Sequence, residues 1–174
     1  MTDDEYEGLV HDLVTGLVGG TPALLPSDVS GGAKNTIIGA SRFAHQIDVS
    51  VRAQSFLVLV ECKYWSRPVP DEAVLVLASR LADIRNANPS LEVRASLVSM
   101  KACTKGARVL AAYFGISLDV VSSIQETRSD SETKFLRLSS RMFRLLIGVT
   151  QKSSRARVTN PECGLRPGKV RIYD

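Results

Sequence analysis

Asp48 and the triplet Glu61-Cys62-Lys63 are the residues of this chain whose types and spacing best suit chemistry. The segment His45-Gln46-Ile47-Asp48-Val49-Ser50-Val51 alternates polar and apolar residues, as a half-buried strand does. Phe56 to Val60 is a continuous apolar run, the mark of a buried strand, and it ends abruptly in the charged triplet. A four-residue connection from Ala53 to Phe56 sets Asp48 opposite Glu61 in an antiparallel pair, with Cβ atoms roughly 5 Å apart. Two carboxylates that close repel each other unless a cation lies between them. Lys63, two residues beyond Glu61, projects from the same strand face. The pattern is that of a metal-binding corner with an ammonium beside it. The triplet alone reads first as an ordinary ion pair at a strand end. The aspartate strand and the apolar lead-in move the reading towards a site.

The elements that must position these residues follow from periodicity. Leu9, Val10, Leu13, Val14, Leu17 and Val18 recur at helical spacing from Glu5 to Val18, and Gly19-Gly20 with Pro22 stop the helix. Residues 21–34 read as a loop, with no phosphate-cradling ending. Asp28, in a Pro/Ser/Gly setting, is a turn residue. Residues 35–42 are expected to form the first strand, best at Thr36-Ile37-Ile38. Beyond Lys63, Pro70-Asp71-Glu72 open a helix with the buried stripe Val74, Leu77, Ala78, Leu81 and Ile84, ended by Asn88-Pro89. Residues 93–100 read as a strand. Thr104 caps a helix that buries Ala107, Leu110, Ala111 and Phe114 and closes at Gly115, and residues 116–121 form a last strand. Helix, three strands, helix, strand, helix, strand is an α/β sandwich with a central sheet of mixed direction.

The constellation resembles the PD-(D/E)xK nuclease superfamily, most of all its Mrr-like restriction endonuclease branch. Gln46-Ile47-Asp48-Val49 resembles the family's aspartate strand, and Glu61-Cys62-Lys63 its E-x-K strand. Tyr6-Glu7-Gly8-Leu9-Val10 is similar to its first helix. Leu97-Val98-Ser99, Thr104-Lys105-Gly106-Ala107 and Gly115-Ile116-Ser117-Leu118 are similar to its later strand, helix and strand. The likeness covers about residues 5–122. It implies a restriction-endonuclease-like αβββαβ core over residues 1–122 and metal-dependent hydrolysis of DNA phosphodiester bonds by Asp48, Glu61 and Lys63. Asp48, Glu61 and the carbonyl of Cys62 are then the ligands of Mg2+, which Mn2+ could replace. Periodicity alone reads Glu7 as a solvated glutamate, whereas the resemblance implies a further acidic ligand there. Lys63 is expected to help electrostatically rather than by abstracting a proton.

Gln46, Arg42, Trp65, Arg67, Lys101 and Lys105 are candidate nucleic-acid contacts. Trp65 reads equally as packing, and Arg42, like His45, equally as plain surface. The Cys62 side chain, on the opposite sheet face, reads as core. The alternatives are a structure-selective nuclease of the junction-resolvase type and a non-catalytic DNA-binding or assembly module. A homodimer is expected by analogy.

Charge supports a polyanionic partner. Residues 1–124 carry 11 Lys and Arg against 13 Asp and Glu, whereas residues 125–174 carry 11 against 5, within a net charge of +4. The segment 123–174 therefore reads as a basic extension: a polar linker, a short amphipathic helix from Lys134 to Leu146, and a loose hairpin of residues 156–159 with 169–173. It could hold DNA, pack on the core or mediate assembly. The three cysteines, Cys62, Cys103 and Cys163, have no C-x-x-C spacing, which argues against disulfides, a zinc site or a four-cysteine cluster. No apolar run is long enough to cross a bilayer, and the acidic start Asp3-Asp4-Glu5 lacks the basic opening of a signal peptide. A soluble protein of the cytoplasm, without membrane contact, is expected.

Overall fold

The structure, a computed structural model, describes residues 1–20, 24–25 and 28–121. The basic extension expected beyond residue 122 lies outside them. Helix α1 spans Asp3–Gly19 and opens with a capping box, in which the Thr2 hydroxyl accepts from the Glu5 amide and the Glu5 carboxylate accepts from the Thr2 amide. Its buried stripe is Tyr6, Val10, Val14 and Val18, one residue per turn. The strands follow as β1 Val29–Gly31, β2 Thr36–Ile38, β3 Ala44–Gln46, β4 Val49–Arg52 and β5 Phe56–Lys63. Then come α2 Asp71–Ala87, β6 Glu92–Ser99, α3 Lys105–Phe114 and β7 Ile116–Val120. Thr104 caps α3 through its hydroxyl, and Gly115, at φ +68°, closes it in the left-handed region that favours glycine.

The main sheet has the order β1-β4-β5-β6-β7. The β1–β4 and β4–β5 pairs are antiparallel, and β5–β6 and β6–β7 are parallel. This is the mixed α/β class expected from the sequence. Each sheet face has its own core. Leu57, Leu59, Ala95 and Leu97 pack under Leu77, Leu81 and Ile84 of α2 and Ala107 and Ala111 of α3. Val49, Val51, Val58 and Val60 pack under the α1 stripe, together with Cys62. Full burial of a Val, Leu or Phe side chain is worth about 1.5–3 kcal/mol, so the wholly buried run Phe56–Val60 makes β5 a firm base for the charged residues at its end.

Two expectations need correction. The first strand of the main sheet is β1, inside the segment read as a loop. The expected strand over residues 35–42 reduces to β2, which pairs only with β3 in a separate two-stranded hairpin. The expected strand through residues 45–51 is also broken, because Ile47 and Asp48 form a bend between β3 and β4. Asp28 is in a turn as expected, its carboxylate accepting from the Leu25 amide.

Candidate active site

The bend at Ile47-Asp48 creates the site. Val49 pairs with Val60 and Val51 with Val58, so the ladder continued by one step would set Asp48 against Glu61, the register read from the sequence. Continued by two steps, it would pair Ile47 with Cys62. Asn35 prevents this: its carbonyl accepts from the Ile47 amide, and its side-chain amide donates to the Ile47 carbonyl at 2.8 Å. The Cys62 N–H thus loses its backbone acceptor, and the Asp48 carboxylate takes it at 2.7 Å. Asn35 also donates to Ser30 of β1 and accepts from the Ser50 hydroxyl of β4, so one side chain ties the bend to two strands. Asn35→Ala should therefore destabilise the fold by about 1–2 kcal/mol, from the loss of several partly buried hydrogen bonds. Urea unfolding measures this; a loss under about 0.5 kcal/mol would mean the bend holds without Asn35.

Asp48 and Glu61 are only 8% and 6% exposed. Burial is the chief force raising the Asp48 carboxyl to about 6, and the Glu61 charge adds to it; the Cys62 N–H and Lys63 oppose the rise. Glu61 is neutralised on both oxygens, with Lys63 Nζ 2.7 Å from Oε1 and Arg80 Nη1 2.9 Å from Oε2. Both cations therefore bond Glu61, while the hydrogen bond held by Asp48 comes from an uncharged amide.

Arg80 escaped the sequence reading. It stands on α2 three residues after Leu77 and four before Ile84, beside the buried stripe, and that position was the available signal. Glu7 lies within electrostatic reach of Asp48, Glu61 and Lys63. Burial raises its own carboxyl, with Asp4 the next cause.

The other expected residues scatter. Gln46 is exposed at the end of β3 beside the bend, and its carbonyl is 3.5 Å from Arg80. With Glu7 it lines a cleft of about 420 Å³ between α1 and the Gly31-Gly32 turn. Arg42 is at the exposed tip of the β2–β3 hairpin, at φ +68°. His45, read as a possible surface contact, is instead bonded at 2.7 Å to Asp83, whose carboxyl is held down at about 2, chiefly by the Ser41 hydroxyl and then His45. Tyr64 packs against Tyr6 in the α1 core at 5.4 Å between ring centres. Trp65 is partly buried against the α2 core, with Lys63 Nζ and the Arg67 guanidinium carbon 5.8 and 5.9 Å from its ring centre. Lys101 and Lys105 are exposed, and the Met100 amide bonded to the Lys63 carbonyl brings Lys101 to the same end of the sheet. Cys62 buries its side chain in the α1 core as expected.

Among the described residues no group of three or more His, Cys, Asp or Glu side chains gathers to hold an ion. The side chains expected to hold an ion are the pair Asp48 and Glu61, with the Cys62 carbonyl as the expected backbone ligand. That pair fits Mg2+ or Mn2+ in kind, since a small hard cation takes one or two carboxylates and keeps several waters. A buried carboxyl pushed up by a like charge is the group such an ion would relieve.

Fold and site together define an α/β domain that carries two carboxylates and two cations at the end of a buried strand. No protein-family model and no curated protein sequence matches the chain. Among solved structures it is similar to AF1548, a protein of unknown function, at 15% identity and TM-score 0.55, over 75% of this chain and 64% of that one. It is equally similar to VC1899 from Vibrio cholerae, at 20% identity and TM-score 0.55, over 79% of this chain and 33% of that one. The EndoMS–dsDNA2 complex aligns at 20% identity and TM-score 0.49, over 72% of this chain and 47% of that one. The chain thus spans less than two thirds of the length of each, and the first two likenesses are of fold alone. Among the described residues no helix is long and apolar enough to cross a membrane.

Proposed function

We propose that this chain is a metal-dependent endonuclease that hydrolyses DNA phosphodiester bonds, of the PD-(D/E)xK type and the Mrr-like branch. One observation carries the reading: at the end of β5 the buried Asp48, bonded to the Cys62 N–H, lies within electrostatic reach of the buried Glu61, which Lys63 bonds. The branch rests on the motif resemblance alone. A divalent ion held by Asp48 and Glu61 would supply a water of lowered pKa and neutralise charge on the phosphate. The Cys62 N–H fixes the Asp48 carboxylate, and Lys63 and Arg80 fix Glu61, so neither carboxylate needs to reorganise. Lys63, anchored on Glu61, offers its charge to the negative oxygens of the reacting phosphate. Gln46, Arg67, Lys101 and Lys105 would be the groups that meet the DNA backbone.

The test is cleavage of a panel of plain, modified, single-stranded and branched DNA with Mg2+ or Mn2+, by the wild type and by Asp48→Ala. The expected result is ion-dependent cleavage by the wild type only, and the preferred substrate separates a restriction-type enzyme from a junction resolvase. DNA binding without cleavage of any member would make the chain a binding module on the same fold.

A further inference from the structure

We infer that Arg80 is a positioning residue of this corner, holding Glu61 from the α2 side and setting by its charge how tightly Asp48 and Glu61 take a divalent cation. The inference rests on the reading of those two carboxylates as ion ligands. Arg80 reaches Glu61 Oε2 at 2.9 Å while Lys63 holds Oε1 at 2.7 Å, so the buried carboxylate is gripped from its own strand and from the helix above. Arg80 is 29% exposed, and Nη1 is the nitrogen that bonds Glu61 and approaches the Gln46 carbonyl. Its guanidinium therefore lies between Gln46, the residue before the bend that carries Asp48, and the strand end that carries Glu61.

The charges decide the consequence. Asp48 and Glu61 bring two negative charges, which Lys63 and Arg80 balance. A divalent ion entering the corner must work against both cations. Removing one of them favours the ion by well over tenfold, even at the high effective dielectric of a partly exposed site. The same removal frees the Glu61 side chain, which costs about tenfold or less. The electrostatic effect wins, so Arg80→Gln should bind the ion more tightly. A purely structural arginine would give the opposite sign, because its loss would loosen the ligand and weaken binding together with stability.

The experiment is calorimetric titration of Mn2+ into the wild type, Arg80→Gln and Arg80→Lys without DNA, with thermal unfolding of each variant in parallel. The expected result is affinity raised tenfold or more in Arg80→Gln and returned to near the wild-type value in Arg80→Lys, which restores the charge. Unchanged or weaker affinity in Arg80→Gln overturns the inference, as does equal tightening in Arg80→Lys. A wild type that binds no Mn2+ overturns both the inference and the ion-ligand reading. If the affinities shift as expected but no DNA is cut, the nuclease reading falls and Arg80 keeps its role.

Discussion

Replacing Lys63 by methionine should cut single-turnover DNA cleavage by about 100-fold or more while leaving the fold and ion binding in place. The size follows from the charge that develops on phosphate oxygens during attack, since removing one preorganised donor in a site of this kind costs about 10²–10³ in rate. Lys63 is 22% exposed, its ammonium is anchored 2.7 Å from Glu61, and the Trp65 ring lies 5.8 Å from it. That anchoring removes the conformational freedom a surface lysine would have to lose on meeting a phosphate. Folding should survive because Arg80 still covers the other oxygen of Glu61. The loss of one charged hydrogen bond, about 1.5–3 kcal/mol, is within what a domain of this size tolerates. Methionine keeps most of the aliphatic stem, so volume is nearly conserved. Binding of Mn2+ should tighten, because a positive charge has left the corner. DNA affinity should fall by about one phosphate contact. Cleavage within threefold of the wild type would reduce Lys63 to an ion-pair partner and deprive the E-x-K triplet of its chemical meaning.

What the sequence made legible is what local pattern controls. The apolar run Phe56–Val60 ending in Glu61-Cys62-Lys63 reads directly as a buried strand with a charged end, and burial and register agree with it. Helices α1, α2 and α3 announce themselves through apolar spacing and through stop or cap signals at Gly19-Gly20, Asn88-Pro89, Thr104 and Gly115, whereas the Thr2 capping box of α1 was not read. The break at Ile47-Asp48 was hidden because its cause lies twelve residues upstream, where Asn35 captures the Ile47 backbone. Alternation along residues 45–51 could not reveal an acceptor brought by another segment. Strand β1 was hidden for a related reason. Val29-Ser30-Gly31 has weak β propensity and is strand only because β4 offers it an edge. Arg80 and Asp83 depend on which way α2 faces as it crosses the sheet. The apolar stripe gives that facing for the core residues but not for the polar ones beside it.

The companion variant, Asp48→Asn, should abolish divalent-ion binding and at the same time stabilise the ion-free protein. The second effect follows from the carboxyl's elevation to about 6 from an ordinary value of 3.8, imposed by burial and then by the Glu61 charge. A carboxyl that binds its proton more tightly in the folded chain than in the unfolded one favours folding when protonated. Stability is therefore greatest below about pH 4 as far as this group is concerned, and it declines as pH rises through the window from about 4 to 6. At pH 7 the folded state bears the full cost, no more than about 3 kcal/mol for a shift of this size. Asparagine removes the charge but retains an oxygen to accept the Cys62 N–H, so the bend should persist. Urea unfolding at pH 4.5 and 7.5 should show the variant about 1–2 kcal/mol more stable than the wild type at the higher pH, with the gap closing at the lower. Saturating Mn2+ should reverse the order at pH 7.5. An ion at 100 times its dissociation constant stabilises the wild type by about 2.7 kcal/mol, and a variant that has lost the ligand gains nothing. If both proteins respond equally to Mn2+, Asp48 is not an ion ligand. If both have the same pH profile without it, the Asp48 carboxyl is not the strained group that its burial against Glu61 makes it.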